Sequence, residues 1–131
     1  MTQSDHPHKR PLSPHLEIYS FSLTMALSII HRITGVGLYF GTGLLAWWLI
    51  AAAAGPEALS VVNSVLGSWF GQLILIGFTW ALFHHMLGGL KHFVWDTGRG
   101  LEHERRQLLS WINVIGGLVL TVLTWAFLVW M

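Results

Sequence analysis

Cysteine is absent from the 131 residues, which excludes disulfides, thiolate metal centres and redox thiols of the chain's own. Any iron–sulfur cluster working with this chain has to be held by another protein. Charge is scarce as well, since Asp, Glu, Lys and Arg make up 10% of the sequence. These four residue types are missing altogether from Ile33 to Ala54, from Gly67 to Leu90 and from Leu108 to Met131. A helix needs about 20 apolar residues to cross the roughly 30 Å hydrocarbon core, and each of the three runs is long enough. What is present fits that setting: 53% of residues are hydrophobic, with eight Trp and seven Phe, and amphipathic rings favour membrane interfaces. The fold class expected is an all-α membrane protein, a bundle of three transmembrane helices. Spans are expected at about 28–54, 68–95 and 108–131, within a membrane domain 21–131 that follows a polar arm over 1–20. Little of the 131 residues remains for a soluble domain, and no nucleic-acid partner is expected.

A net charge of +1 conceals an asymmetry. Lys9, Arg10 and Arg32 lie in the N-terminal region, and Lys91, Arg99, Arg105 and Arg106 lie at the second connection, whereas the first, about Gly55–Leu66, carries only Glu57. Basic residues stay on the cytoplasmic side, which predicts a cytoplasmic N-terminus and an outer C-terminus. The first residues have neither the apolar core of a signal peptide nor the Arg-rich look of a transit peptide. A bacterial inner-membrane protein is therefore expected, with a processed mitochondrial inner-membrane chain as the second reading.

Local signals mark the element ends. Pro7, Pro11 and Pro14 favour an extended arm, and Ser20-Phe21-Ser22 offers caps for the first helix. Gly55-Pro56 ends that helix, leaving a mildly amphipathic loop Glu57–Leu66 along the interface. Thr97-Gly98 ends the second span near Asp96, and Arg99–Gln107 reads as a charged linker. Glycines 37 and 41, and 67 and 71, show the four-residue spacing of small residues that lets membrane helices approach closely.

Polar side chains at membrane depth are expensive and point to function. The second span ends in His84-His85-Met86-Leu87-Gly88-Gly89-Leu90-Lys91-His92. His85 and His92, seven residues apart, fall within about 20° on one helical face, with Gly89 between them. Two readings of His85 stand: an imidazole ligand to haem iron, with Gly89 clearing room for the ring edge, or a hydrogen bond to a neighbouring helix. His84 points about 100° away, toward another helix or a polar cavity. His92 has Asp96 one turn on, which suits a polar contact at a helix end, and Lys91 reads as an anchor snorkelling to water. A second cluster, Ser28, His31 and Arg32, shares one face just before the first charge-free run. It suits a carbonyl, phosphate or propionate; equally, Arg32 is an ordinary contact to lipid phosphate.

Taken in order, Arg10-Pro11-Leu12-Ser13-Pro14-His15-Leu16, then Ser28-Ile29-Ile30-His31-Arg32-Ile33-Thr34-Gly35, then His85 with Gly89, His92 and Asp96, resemble the cytochrome b membrane-anchor subunits of succinate dehydrogenase, respiratory complex II. The resemblance covers nearly the whole chain, and His84 is the one addition beside the motif. It implies that His85 is an axial ligand to iron of a haem b shared with a second membrane-anchor subunit, which supplies the other ligand. It implies that Ser28 and Arg32 line a quinone site, and that His31, Arg32 and, less directly, His92 lie near the haem propionates. No catalytic residue for succinate oxidation is expected here; FAD and the iron–sulfur clusters would belong to flavoprotein and iron–sulfur partner subunits. The alternatives are a cytochrome b anchor of another quinone-linked dehydrogenase, or a non-redox three-helix anchor in the bilayer.

Overall fold

The computed structural model describes residues 21–130, so the expected polar arm, with its prolines and the Arg10–Leu16 segment, lies outside the described residues, as does Met131. Four helices follow in order: α1 Leu23–Ala54, α2 Pro56–Leu66, α3 Trp69–Asp96 and α4 His103–Trp130. Among the described residues α1, α3 and α4 are long and apolar enough to cross a membrane, which is the three-span bundle expected. With 32 residues, α1 is about 48 Å long, more than the hydrocarbon core requires. Its first turns, carrying Ser28, His31 and Arg32, therefore have length to spare at the membrane boundary.

The ends follow from identifiable chemistry. Ser22 caps α1, its hydroxyl accepting from the Met25 amide at 3.4 Å, and Ser68 caps α3 by accepting from Gly71 at 3.1 Å. Gly98, at φ 74°, supplies the left-handed turn beyond α3 that a side chain would strain. Two connections differ from the sequence expectation. The segment after Gly55 is the 11-residue helix α2, which starts on Pro56 with Glu57 in its first turn and buries Val62. Proline at the first helical position is preorganised and a carboxylate there meets the positive helix end, so this helix is well specified despite its brevity. The expected linker 99–107 is also shorter, because α4 starts at His103. Glu104, Arg105, Arg106 and Gln107 are good helix formers; their charge interrupts the hydropathy but not the helix.

Packing rests on small and polar residues more than on aliphatic ones. Buried apolar side chains among the described residues are Leu27, Ala51, Val62 and Ala81, whereas Thr34, His84, Lys91, Ser110, Asn113 and Thr121 are buried too. Most large hydrophobics face outward, as expected where lipid or protein replaces water. On the α1–α3 side, Gly41 admits the Phe78 ring so closely that any Cβ there would collide with it. Its partner in the expected spacing, Gly37, meets nothing within 4 Å. On the α3–α4 side, a Cβ on Gly117 would lie 3.3 Å from the His84 backbone. His84, Gly88 and Lys91 on α3 thus form a buried row facing Gly117, Asn113 and Ser110 on α4.

Candidate functional site

The face of α3 toward α1 carries His85. Its Nδ1 lies 3.1 Å from the His31 carbonyl oxygen and 3.3 Å from Thr34 Oγ1. The Thr34 hydroxyl itself donates to the same carbonyl, at 2.9 Å. Because a carbonyl can only accept, the Nδ1 contact assigns the ring proton to Nδ1 and leaves a lone pair on Nε2. Metal-bound histidines are usually held this way, with the second nitrogen donating to a carbonyl that fixes both tautomer and ring direction. Opposite the ring, a Cβ on Gly35 would come within 3.0 Å of His85 Cε1, so a glycine permits the approach. A Cβ on Gly89, one turn beyond His85, would meet nothing within 4 Å, so that position is open.

His31 joins this group. Its ring stacks on His85 with centroids 3.9 Å apart and planes 2° from parallel, and it lies 5.6 Å from His92 at 53°. Two axial ligands of one metal must present nitrogens to each other across it; face-stacked rings do not. His31 is thus not placed as the second ligand opposite His85. His92 starts two turns further along α3, about 10 Å away. Among the described residues no group of three or more His, Cys, Asp and Glu is disposed to hold a bare metal ion. A metal bound through His85 would therefore have to bring other ligands with it, as a macrocycle does.

The structure brings Ser28, His31 and Arg32 onto neighbouring positions of α1, with His31 half-buried against α3 and Ser28 and Arg32 exposed on the outside of the bundle. Among the described residues no carboxylate approaches Arg32 within 4.0 Å. The expected contact between His92 and Asp96 is not formed; His92 instead packs edge-on against Trp95 at 5.2 Å. Lys91 departs further from expectation. It does not snorkel to water but is 7% exposed, with Nζ 4.9 Å from the Trp95 ring centroid. The Trp95 indole face offers the ammonium an attractive surface that bulk water would otherwise supply.

His84 faces the neighbouring helix α4 and is 1% exposed, packed against Trp80 at 5.2 Å. Neither of its ring nitrogens has a partner among the described residues, nor does either side-chain polar atom of Asn113, also 1% exposed. Asn113 escaped the sequence reading, although a lone amide inside a charge-free run is a signal of its own. Gly88 links the two sides: a Cβ there would lie 2.6 Å from His31 Nδ1 and 3.4 Å from Asn113 Nδ2.

Comparison with known proteins gives a consistent result. The family model described as succinate dehydrogenase/fumarate reductase transmembrane subunit matches residues 6–124. The sequence is 46% identical over 115 residues to the succinate dehydrogenase cytochrome b556 subunit of Paracoccus denitrificans, covering 88% of each chain. It is 36% identical over 124 residues to the protein of that name from Rickettsia felis, covering 95% of this chain and 97% of that one. The mitochondrial succinate dehydrogenase cytochrome b560 subunit of Homo sapiens is 39% identical over 117 residues, 88% of this chain and 67% of its own length.

Proposed function

The chain belongs to the succinate dehydrogenase/fumarate reductase transmembrane-subunit family, and from that premise we propose that it is a haem b-binding anchor of succinate:quinone oxidoreductase. In this reading His85 holds the iron through Nε2, and a second membrane-anchor subunit supplies the opposite imidazole. The observation that carries it is the Nδ1 contact of His85 to the His31 carbonyl at 3.1 Å, which leaves Nε2 unprotonated and directed. The open space at Gly89 supports the same fit. Bound there, the haem would supply a one-electron carrier within the membrane. His31 and Arg32, with His92 nearby on α3, are the polar groups on this chain suited to its propionates.

Ser28 and Arg32 are proposed to bind quinone. Both can donate hydrogen bonds to a quinone carbonyl, whose oxygen gains charge as electrons arrive. Donors already aimed at developing charge stabilise it without reorganisation. Both lie at the N-terminal end of α1, where the quinone head would meet the iron–sulfur subunit. Succinate oxidation at FAD and electron transfer through iron–sulfur clusters fall to the flavoprotein and iron–sulfur subunits, since this chain has no cysteine to hold a cluster. The proposed location is the bacterial inner membrane, and the distribution of Lys and Arg supports a cytoplasmic N-terminus and an outer C-terminus.

Purification of the complex from membranes tests this reading. A b-type reduced-minus-oxidised spectrum is expected, with flavoprotein and iron–sulfur subunits identified by mass spectrometry. An assembled complex without that spectrum would leave the chain a non-redox anchor. Soluble partners of a different dehydrogenase would redirect the assignment to another quinone-linked enzyme.

A further inference from the structure

Away from the His85 face, the outside of the α3–α4 seam holds two adjoining hollows of about 180 and 370 Å³. They share Val94 and Leu109 and so form one groove. Its deeper part is walled by Leu87, Leu90 and Ile112 and contains Lys91; its outer part is bordered by Leu108, Arg99 and Arg105. Among the described residues no acidic side chain lines either part. Lys91 is more than nine-tenths buried, and among the described residues no carboxylate lies within 4.0 Å of it or of Arg99. Arg105 has only a loose 3.9 Å contact with Glu102, both side chains being about 70% exposed (71% and 68%). Such an exposed pair contributes little and yields readily to a stronger anion.

Two arginines at the mouth of an aliphatic groove, with a lysine in its deeper wall, fit one kind of occupant: an amphiphile with an anionic head and a hydrocarbon tail. Arg99 and Arg105 lie beyond the end of α3 and in the first turn of α4, at the level of headgroups. Lys91 lines the adjoining deeper part, with its ammonium 4.9 Å from the Trp95 ring centroid. We propose that this groove binds an anionic phospholipid, with the phosphate between Arg99, Arg105 and Lys91 and an acyl chain along Leu90 and Ile112. Basic pockets between membrane helices commonly select acidic headgroups in this way. The site requires only that α3 and α4 span the bilayer and stands apart from the haem and quinone assignments.

The test uses the purified, delipidated complex in mild detergent, titrated with phosphatidylglycerol or phosphatidylethanolamine and followed by native mass spectrometry. Phosphatidylglycerol is expected to bind the unaltered complex preferentially, and inorganic phosphate is expected not to displace it. The double substitution Arg99→Gln/Arg105→Gln, confined to exposed side chains, should weaken that binding about thirtyfold, from two lost headgroup contacts. The haem spectrum of the same samples reports assembly separately. Equal binding of both lipids, or an unchanged affinity in the double variant, overturns the proposal. A photoreactive residue at Leu90 identifies the occupant: crosslinks to phospholipid support the site, and crosslinks to a polypeptide overturn it.

Discussion

At the scale of single residues, the proposed iron ligand is controlled by a main-chain carbonyl. The His31 carbonyl receives both the Thr34 hydroxyl and the His85 Nδ1 proton, so removal of the hydroxyl leaves the imidazole with its principal partner. Thr34→Val is therefore expected to retain haem while weakening its binding about tenfold, within the range typical for outer partners of metal ligands. His85→Ala should abolish the b-type spectrum, whereas His84→Ala should leave most of it, because His84 faces α4 and is buried against Gly117. Reduced-minus-oxidised spectra of the three assembled variants decide this, and equal haem loss at positions 84 and 85 would reverse the assignment of faces. Ser28→Ala offers the corresponding test for quinone. It should slow electron transfer to quinone roughly ten- to hundredfold, the cost of a lost hydrogen bond to a charge-developing oxygen. Succinate oxidation by an artificial acceptor at the soluble subunits should be spared. Unchanged quinone kinetics in a haem-loaded complex would make Ser28 an ordinary helix residue.

At the scale of elements, α1 and α3 are brought together by a ring seated on a glycine. Since a Cβ at position 41 would collide with Phe78, Gly41→Ala should destabilise the helix pair by about 1–3 kcal/mol, the usual cost of overpacking. Pairing it with Phe78→Leu should recover much of the loss, as thermal release of haem from the purified complex would report. An uncompensated double variant would mean that the contact is not what holds the pair. The same elements explain what was legible in the sequence. The three spans were readable because hydrocarbon thickness imposes a length, and charge-free runs of that length have few other uses. The His85–Gly89–His92 face was readable from helical geometry alone, and so were the caps at Ser22 and Gly98. Helix α2 was not, because its short mixed run gives too little periodicity to set helix apart from loop. The inward turn of Lys91 was not readable either, since a basic residue near a span end ordinarily reaches for water. Its burial depends on Trp95 and α4, and only the packed bundle brings those together.

At the scale of the whole molecule, the bundle is asymmetric in charge from end to end. Among the described residues one end gathers Arg32, Lys91, Arg99, Arg105 and Arg106, close to the imidazoles of His31 and His92, while the other carries α2 with Glu57 and no basic residue. Retention of Lys and Arg on the cytoplasmic side during insertion is the basis for the proposal that the His31 end is cytoplasmic, where soluble partners would deliver electrons. Cysteine scanning measures this directly, because the chain has no cysteine of its own to interfere. Ser60→Cys lies on the exposed side of α2 and should react with an impermeant maleimide added to intact spheroplasts. His103→Cys lies exposed at the start of α4 and should react only after the membrane is opened. The two sites are separated by the full length of α3 and therefore report opposite sides. Reversed labelling would put the proposed quinone donors Ser28 and Arg32 on the outer face, away from any cytoplasmic source of electrons. The quinone assignment would then fail together with the topology, whereas the proposed haem ligation by His85, which rests on contacts inside the bundle, would remain testable by its spectrum.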